Sequence, residues 1–395
     1  MRTAAFLQWL HDEVGLAGGA PGSAKRHIVR FRSSRDYAAC RAGLRRLKPV
    51  LARLSARPVR ELDLIRGFSC MLSDLAADRL QEAWGLEVED DLPVRVRRMT
   101  ENRPASSIGR SGAPTPIVPW GIGHIQAPEA WSRSVGQRVR VGVIDTGIDY
   151  NHPDLRHSIA NGINLVHRAY LPFDDNGHGT HIAGTIAASS RGGGIIGVAP
   201  KALIHPVKAF DHNGSAYVSD IIAGILWCVD QDLDVINMSF GMKTYSRALE
   251  QAVLRAYNAG KIIVASSGND GKRTVVDYPA RFPQTLAVGA TTRSNRIAPF
   301  SNRGRRIDLY APGERIYSAW LHGKYNELSG TSMATAHVSG VIALMLSVNG
   351  GLRPAQIKKL LKRTASALGK SSSARWKPGQ LNARRALSAL KSRDV

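Results

Sequence analysis

Val141-Gly142-Val143-Ile144-Asp145-Thr146-Gly147 is the stretch on which the fold turns. Its four apolar residues read as a strand buried on both faces, since no polar residue alternates with them. The strand ends on a carboxylate beside a glycine turn. Strands of the same kind are expected at Val139–Ile144, of which this stretch is part, and at Ile204–Ala209, Val235–Ser239, Ile262–Ala265 and Thr285–Val288. Helical patterns lie between them, at His178–Ala188, Val218–Asp230 and Arg247–Ala259. Apolar strands alternating with helices predict a three-layer α/β domain, a parallel sheet covered on both faces. Reactive groups in such sheets gather outside the carboxyl ends of the strands, where Asp145 stands.

The chain ahead of this domain has a different texture. Residues 1–24 form a short lead ending in the Gly/Ala/Pro/Ser-rich stretch 18–24. In 25–97, His27–Arg32 alternates as a strand and a helical pattern carries Ala38, Leu44, Leu47 and Leu51. Leu62–Phe68 is strand-like, a second helix runs from about Ser73 to Trp84, and a last strand lies around Leu86–Val88. Ser73 is a natural N-cap with Asp74 in the first turn. That order predicts a small α+β sandwich. A Pro/Ser/Gly/Arg-rich linker, 98–117, separates it from the domain at 118–395.

Three segments carry the chemistry. Asp145 is placed to orient an imidazole. Asp-Thr-Gly also occurs in aspartic proteases, but those need a second carboxylate to share the proton, and no second Asp-Thr/Ser-Gly of this kind is present. His178 opens a helix in Gly177-His178-Gly179-Thr180-His181, where the flanking glycines give the imidazole room. His181 lacks the intervening glutamate of a zinc-protease helix and reads as a packing residue. Ser332 lies in Gly330-Thr331-Ser332-Met333-Ala334, at the start of a helix whose free N–H groups favour a developing negative charge.

Asp, His and Ser in that chain order match one known arrangement of the triad. The words around them, with Gly197-Val198-Ala199-Pro200 and Asp234–Ser239, resemble the signatures of the subtilisin-like serine proteases, the subtilase family. The resemblance covers about residues 117–350 and implies a serine-type endopeptidase with Asp145, His178 and Ser332 as triad and Asn269 as oxyanion donor. It implies a substrate-pairing edge at Ser239-Phe240-Gly241. It also identifies 25–97 as a ferredoxin-like inhibitory propeptide, removed from a zymogen by autocleavage after Arg97, Arg98, Arg103 or Arg110. Asp277 falls at the floor of the pocket for the residue before the scissile bond, with Asp270 near its rim. An inward carboxylate would favour Arg or Lys; an outward one would cap the next loop instead. The family's usual calcium site matches only Asp154, with Pro116 and Arg191 where a Gln and an Asn are expected, so calcium is expected to be absent or remodelled there. Alanine at 336 replaces the family's proline, with little effect expected. No cofactor is required for catalysis.

Composition bounds the remaining partners. Three cysteines, Cys40, Cys70 and Cys228, cannot form a disulfide framework and read as buried thiols. The net charge of +23 comes without the basic stripe and stacking aromatics of a nucleic-acid module, so no specific nucleic acid is expected. No apolar run approaches the roughly 18–20 residues of a membrane span. His11, Asp12 and Glu13 cut the first apolar stretch short of a signal peptide. A monomer acting on protein or peptide substrates is expected. An inhibitory propeptide favours secretion, and the missing leader favours an intracellular enzyme.

Overall fold

Two compact units emerge from the chain. One takes in residues 1–93 with 217–226 and 246–252, the other 94–216, 227–245 and 253–395. The structure, a computed structural model, describes Ala5, Gln8, Trp9 and residues 24–53, 60–96, 100–104, 115–190, 193–271, 273, 275–368 and 378–390.

In the first unit, β1 (Lys25–Arg30), α1 (Ser34–Arg53), β2 (Arg60–Leu62), β3 (Gly67–Leu72), α2 (Asp74–Trp84) and β4 (Glu87–Asp90) follow one another. The strands form an antiparallel sheet in the order β2-β3-β1-β4. Alternate residues of β1 and β3, Val29 with Phe68 and Cys70, join Phe31, Tyr37, Cys40 and Leu80 in one core. The Ser73 hydroxyl accepts from the Ala76 N–H at 3.1 Å, and Gly85 closes α2 in the left-handed region (φ 63°). One expectation needs correction. Leu62–Phe68 is not a strand: Asp63–Ile65 is a single 3-10 turn, and Arg66 takes φ 55° to reverse the chain between β2 and β3. Apolar residues on the inside of that turn imitate a buried strand.

The second unit begins with β5 (Pro93–Arg95), apart from its first residue, and β6 (Thr100–Pro104). After the short helix α3 (Trp120–His124), the apolar runs become a seven-stranded sheet. Its members are β7 (Arg140–Asp145), β8 (Ile163–Asn164), β9 (Leu203–Lys208), β11 (Val235–Met238), β12 (Ile262–Ser266), β13 (Leu286–Thr291) and β14 (Leu309–Pro312). Every pairing is parallel, in the order β14-β13-β12-β11-β7-β9-β8. The helices are α4 (His178–Ala187), α5 (Val218–Asp230), α6 (Arg247–Asn258), α7 (Thr331–Val348), α8 (Pro354–Thr364) and α9 (Ala383–Ser388). Thus α/β with a parallel sheet is the observed fold. Strands β10 (Ser215–Tyr217), β15 (Ile316–Ala319) and β16 (Tyr325–Ser329) complete it, with β10 pairing β5 and β16 lying between β15 and β6.

Helix α7 lies across β11 to β14 and is buried from Thr331 to Leu346, enclosed in the core. By length and composition it could cross a membrane, but 89% of it is buried within the fold. Cys40, Cys70 and Cys228 are buried and free.

Candidate active site

The seven-stranded sheet brings the chemistry together at its carboxyl edge. Asp145 is the last residue of β7, Ser239 follows β11 and Asn269 lies just beyond β12. His178 and Ser332 sit in the first turns of α4 and α7. His178 Nδ1 lies 2.6 Å from Asp145 Oδ1, with both side chains buried. Asp145 Oδ1 also accepts from the Thr146 N–H at 2.8 Å, fixing the carboxylate. This leaves His178 Nε2 buried with no hydrogen-bond partner among the described residues, available to take a proton. The Ser332 hydroxyl donates to the Ser239 carbonyl at 2.8 Å.

The glycines beside His178 serve the scaffold, beyond leaving room. Gly177 has φ 104°, and a Cβ there would lie 2.4 Å from the Trp320 ring. A Cβ on Gly179 would lie 2.1 Å from the Gly147 carbonyl oxygen, so only glycine lets α4 approach the end of β7.

Asn269 Oδ1 accepts from the Thr331 N–H at 2.9 Å and the Thr331 hydroxyl at 2.8 Å. Anchoring the amide by its oxygen keeps its NH2 group as the available donor. The first N–H groups of α7, including that of Ser332, have no intrahelical acceptor. Two donors therefore surround the serine at a helix N-terminus, where developing negative charge is favoured.

Asp174 and Thr146 are the residues that sequence reading passed over. Asp174 is fully buried. It accepts from Thr146 Oγ1 (2.8 Å), the N–H groups of Asn176 (3.0 Å), Gly177 (2.9 Å) and Thr180 (2.9 Å), and Thr180 Oγ1 (2.6 Å). Thr146 Oγ1 in turn accepts from the Gly179 N–H at 3.0 Å. One carboxylate thus caps α4 and ties it to the residue after Asp145. The signal was an acidic residue four positions before His178, close enough to reach back to the helix start.

His181 Nε2 lies 2.9 Å from the Ile316 carbonyl and 3.2 Å from that of Asn326. Its complete burial lowers its pKa to about 3. It is a packing residue, as the sequence suggests. Ala336 continues α7 without interruption.

The Ser239–Gly241 edge is engaged by the chain itself. Arg95 forms an antiparallel bridge with Gly241, and the Val96 N–H donates to the Gly214 carbonyl at 2.8 Å. Phe240 is buried, its ring 5.0 Å from that of Phe210. Asp277 is fully buried and turned inward, held by its N–H on the Ser267 carbonyl at 3.0 Å. A Cβ added to Gly268 or Gly241 would lie 2.5 Å or 3.0 Å from Asp277 Oδ2. Its carboxylate therefore lies close against Gly268 and Gly241, and its Oδ1 accepts from the Asn302 amide at 3.4 Å. Asp270, the second carboxylate of that stretch, pairs with Lys243 at 3.2 Å.

Asp154 is also buried. Its Oδ2 accepts from the Ile195 N–H at 2.9 Å and the Tyr325 hydroxyl at 2.8 Å. Burial, with the Asp154 contact, pushes the Tyr325 phenol well above its ordinary range, so it remains a donor. A calcium cradle needs converging oxygen acceptors; Asp154 Oδ2 instead faces two donors. Among the described residues, no three His, Cys, Asp or Glu side chains form a metal set. Arg97, Arg98, Arg110 and Arg191 lie outside the described residues, and Arg103 falls in β6.

A family model described as the subtilase family matches residues 136–383. Subtilisin E of Bacillus subtilis (strain 168) is 36% identical over 374 residues, covering 93% of this chain and 92% of that protein. Subtilisin of Bacillus pumilus is 44% identical over 259 residues, 64% of this chain and 94% of that protein. Subtilisin Savinase of Lederbergia lenta is 44% identical over 253 residues, with 64% and 93% covered.

Proposed function

The chain belongs to the subtilase family and is a serine endopeptidase acting on protein substrates, and from that premise we propose that it works through Asp145, His178 and Ser332 and matures by cutting itself. The observation that carries the catalytic assignment is the buried His178–Asp145 pair at 2.6 Å with Nε2 left unengaged. Ser332 Oγ attacks the scissile carbonyl carbon as His178 Nε2 takes its proton. Asp145 holds the Nδ1–H tautomer and stabilises the imidazolium. Oxyanion charge falls on the Asn269 amide and the Ser332 N–H. Collapse breaks the C–N bond as His178 returns the proton to the amine, leaving an acyl-serine. Water, deprotonated by the same imidazole, then releases the acid. A fluorophosphonate probe should label Ser332 in the wild type; an unlabelled, inactive protein would overturn the assignment.

Self-processing is supported by the strand pairings on either side of positions 97–99. Arg95 and Val96 are held by Gly241 and Gly214, and Thr100–Pro104 runs beside the strand leading to Ser332. The scissile bond is then expected between Val96 and Thr100, with Arg97 as the residue before it. Residues 25–97 act as the inhibitory propeptide until they dissociate. The inward Asp277 supports a preference for Arg or Lys at the same position, since a buried carboxylate gains a charge-assisted hydrogen bond from either. Peptides differing only in Arg or Phe before the cut test this, and faster turnover of the Phe peptide would overturn it.

Calcium is not held at Asp154 in this reading, so a chelator should leave the melting temperature of the mature enzyme unchanged; a large drop would contradict it. Synthesis as an inhibited zymogen supports activity after export. Finding the mature form only inside cells would contradict that assignment.

A further inference from the structure

We propose that Lys208 is a positioning residue for the reaction, its ammonium group holding Thr146 and Asp175 so that Asp145 and His178 meet in one fixed geometry. The proposal rests on the catalytic reading above, in which His178 moves the proton and Asp145 orients the imidazole.

Lys208 is the last residue of β9 and pairs in register with Asp145, the last of β7. Its side chain is only 5% exposed. A buried ammonium is costly unless its donors are satisfied. Here it donates to the Thr146 carbonyl at 2.5 Å and to Asp175 Oδ1 at 2.6 Å. Thr146 directly follows Asp145, and Asp175 stands in the loop just before His178. The backbone past Lys208 grips the same turn, because the Ala209 and Phe210 N–H groups donate to the Asp145 carbonyl at 3.0 Å and 3.2 Å. The end of β9 therefore holds the carbonyls of Asp145 and Thr146 in succession. Through one side chain it also holds the loop that leads into α4.

Filling space does not account for the residue type, since a methionine would do so with no ammonium to desolvate. What the lysine adds is a charged link between two segments that sheet pairing does not join. Asp174 reaches Thr146 through its hydroxyl; Lys208 reaches the same residue through its carbonyl and ties it to Asp175. Charge matters here as well as geometry, because His178 becomes an imidazolium in each turnover. Around it β7 brings Asp145, the loop before α4 brings Asp174 and Asp175, α4 brings His181, and the turn after β9 brings Asp211, while β8 brings no charged residue. His181 stays neutral through burial. Lys208 is the fixed cation of this set. It opposes the imidazolium and Asp175 favours it, so the pair that holds the site largely offsets its own field there.

The test compares the mature wild-type enzyme with Lys208→Met, Asp175→Asn and the double variant, in steady-state kinetics across pH on one peptide substrate. Lys208→Met should lower kcat about ten- to a hundredfold, with KM within about twofold of wild type, the signature of a misplaced catalytic group. It should also move the acid limb of kcat/KM upward by about half a pH unit, because the cation opposing the imidazolium is lost. Asp175→Asn should move the same limb downward, since the lysine is then left without its counter-charge. The double variant should lose no more kcat than Lys208→Met alone, because both changes break one contact. Asp175 has a side chain 50% exposed, so Asp175→Asn folds and decides the matter by its shift if Lys208→Met does not mature. A kcat for Lys208→Met within about twofold of wild type would overturn the positioning role. So would an acid limb that stays in place in Asp175→Asn, or that moves the same way in both single variants; each of these results leaves the endopeptidase reading intact. A wild type that a fluorophosphonate does not label at Ser332 would instead overturn the catalytic reading, and this proposal with it.

Discussion

At Asp174 one buried carboxylate receives two backbone N–H groups of the loop before His178, one of α4, and two hydroxyls. Its replacement therefore acts on His178 through the start of α4, without touching substrate. Asp174→Asn keeps the shape but loses the charge, and kcat should fall ten- to a hundredfold, the scale of a small misplacement of a catalytic group, with KM nearly unchanged. Steady-state kinetics checks this; an unchanged kcat would contradict the positioning role. For Asn269→Ala the expected cost is about 2.7–4 kcal/mol of barrier, a value that comes from subtilisin itself, seen as a fall in kcat of about 10²–10³-fold with full acyl-site integrity. Asp277→Gly should remove the preference for Arg over Phe. Asp145, His178 and Ser332 could be singled out as candidates from residue type and chain order, and Asn269 through the family resemblance. Asp174 could not, because its function depends on where a helix starts in three dimensions, and neither could the Ser332 hydroxyl turned toward Ser239.

Two helix N-termini of the first unit are capped by side chains from near β4. Glu89 accepts from the Ser246 hydroxyl at 2.6 Å and from the Ala248 N–H at 3.1 Å. Asp91 accepts from the Ser219 N–H at 2.9 Å and its hydroxyl at 2.7 Å, with Arg26 paired to it at 2.9 Å. A carboxylate at a helix N-terminus satisfies free N–H groups and suits the dipole. Glu89→Ala in the Ser332→Ala precursor should cost about 1 kcal/mol, read as a roughly fivefold faster amide exchange at Ala248; unchanged exchange would show that the cap contributes nothing. The sequence located most of these elements, since apolar period and caps are local signals. It misread 62–68, where a turn with an apolar inside imitates a strand, and it did not separate the short strands β14, β15 and β16. Their pairing, including that with the linker, depends on residues far apart in the chain.

Two buried histidines contribute to the molecule's response to acid. His337 is completely buried, which lowers its pKa to about 4, and His181 is lowered to about 3 for the same reason. Unfolded, each regains a value near 6.5. The unfolded chain then binds more protons below that pH, so the stability is present above about 6.5 and lost as pH falls toward 4 and 3. His337 alone corresponds to roughly 3 kcal/mol over that interval. The urea midpoint of the inhibited mature enzyme should drop steadily between pH 7 and 4, whereas a flat profile would contradict the neutral, buried state of these rings. The central claim, that this is a protease which makes its own N-terminus, has a direct test in intact mass and N-terminal sequence of the purified wild type beside Ser332→Ala. The account predicts a wild-type terminus between residues 97 and 100, with Arg98 foremost, and a Ser332→Ala chain that stays at its full 42.8 kDa. A full-length wild type that still reacts with a fluorophosphonate, or a Ser332→Ala chain cut at the same bond after purification, would contradict it.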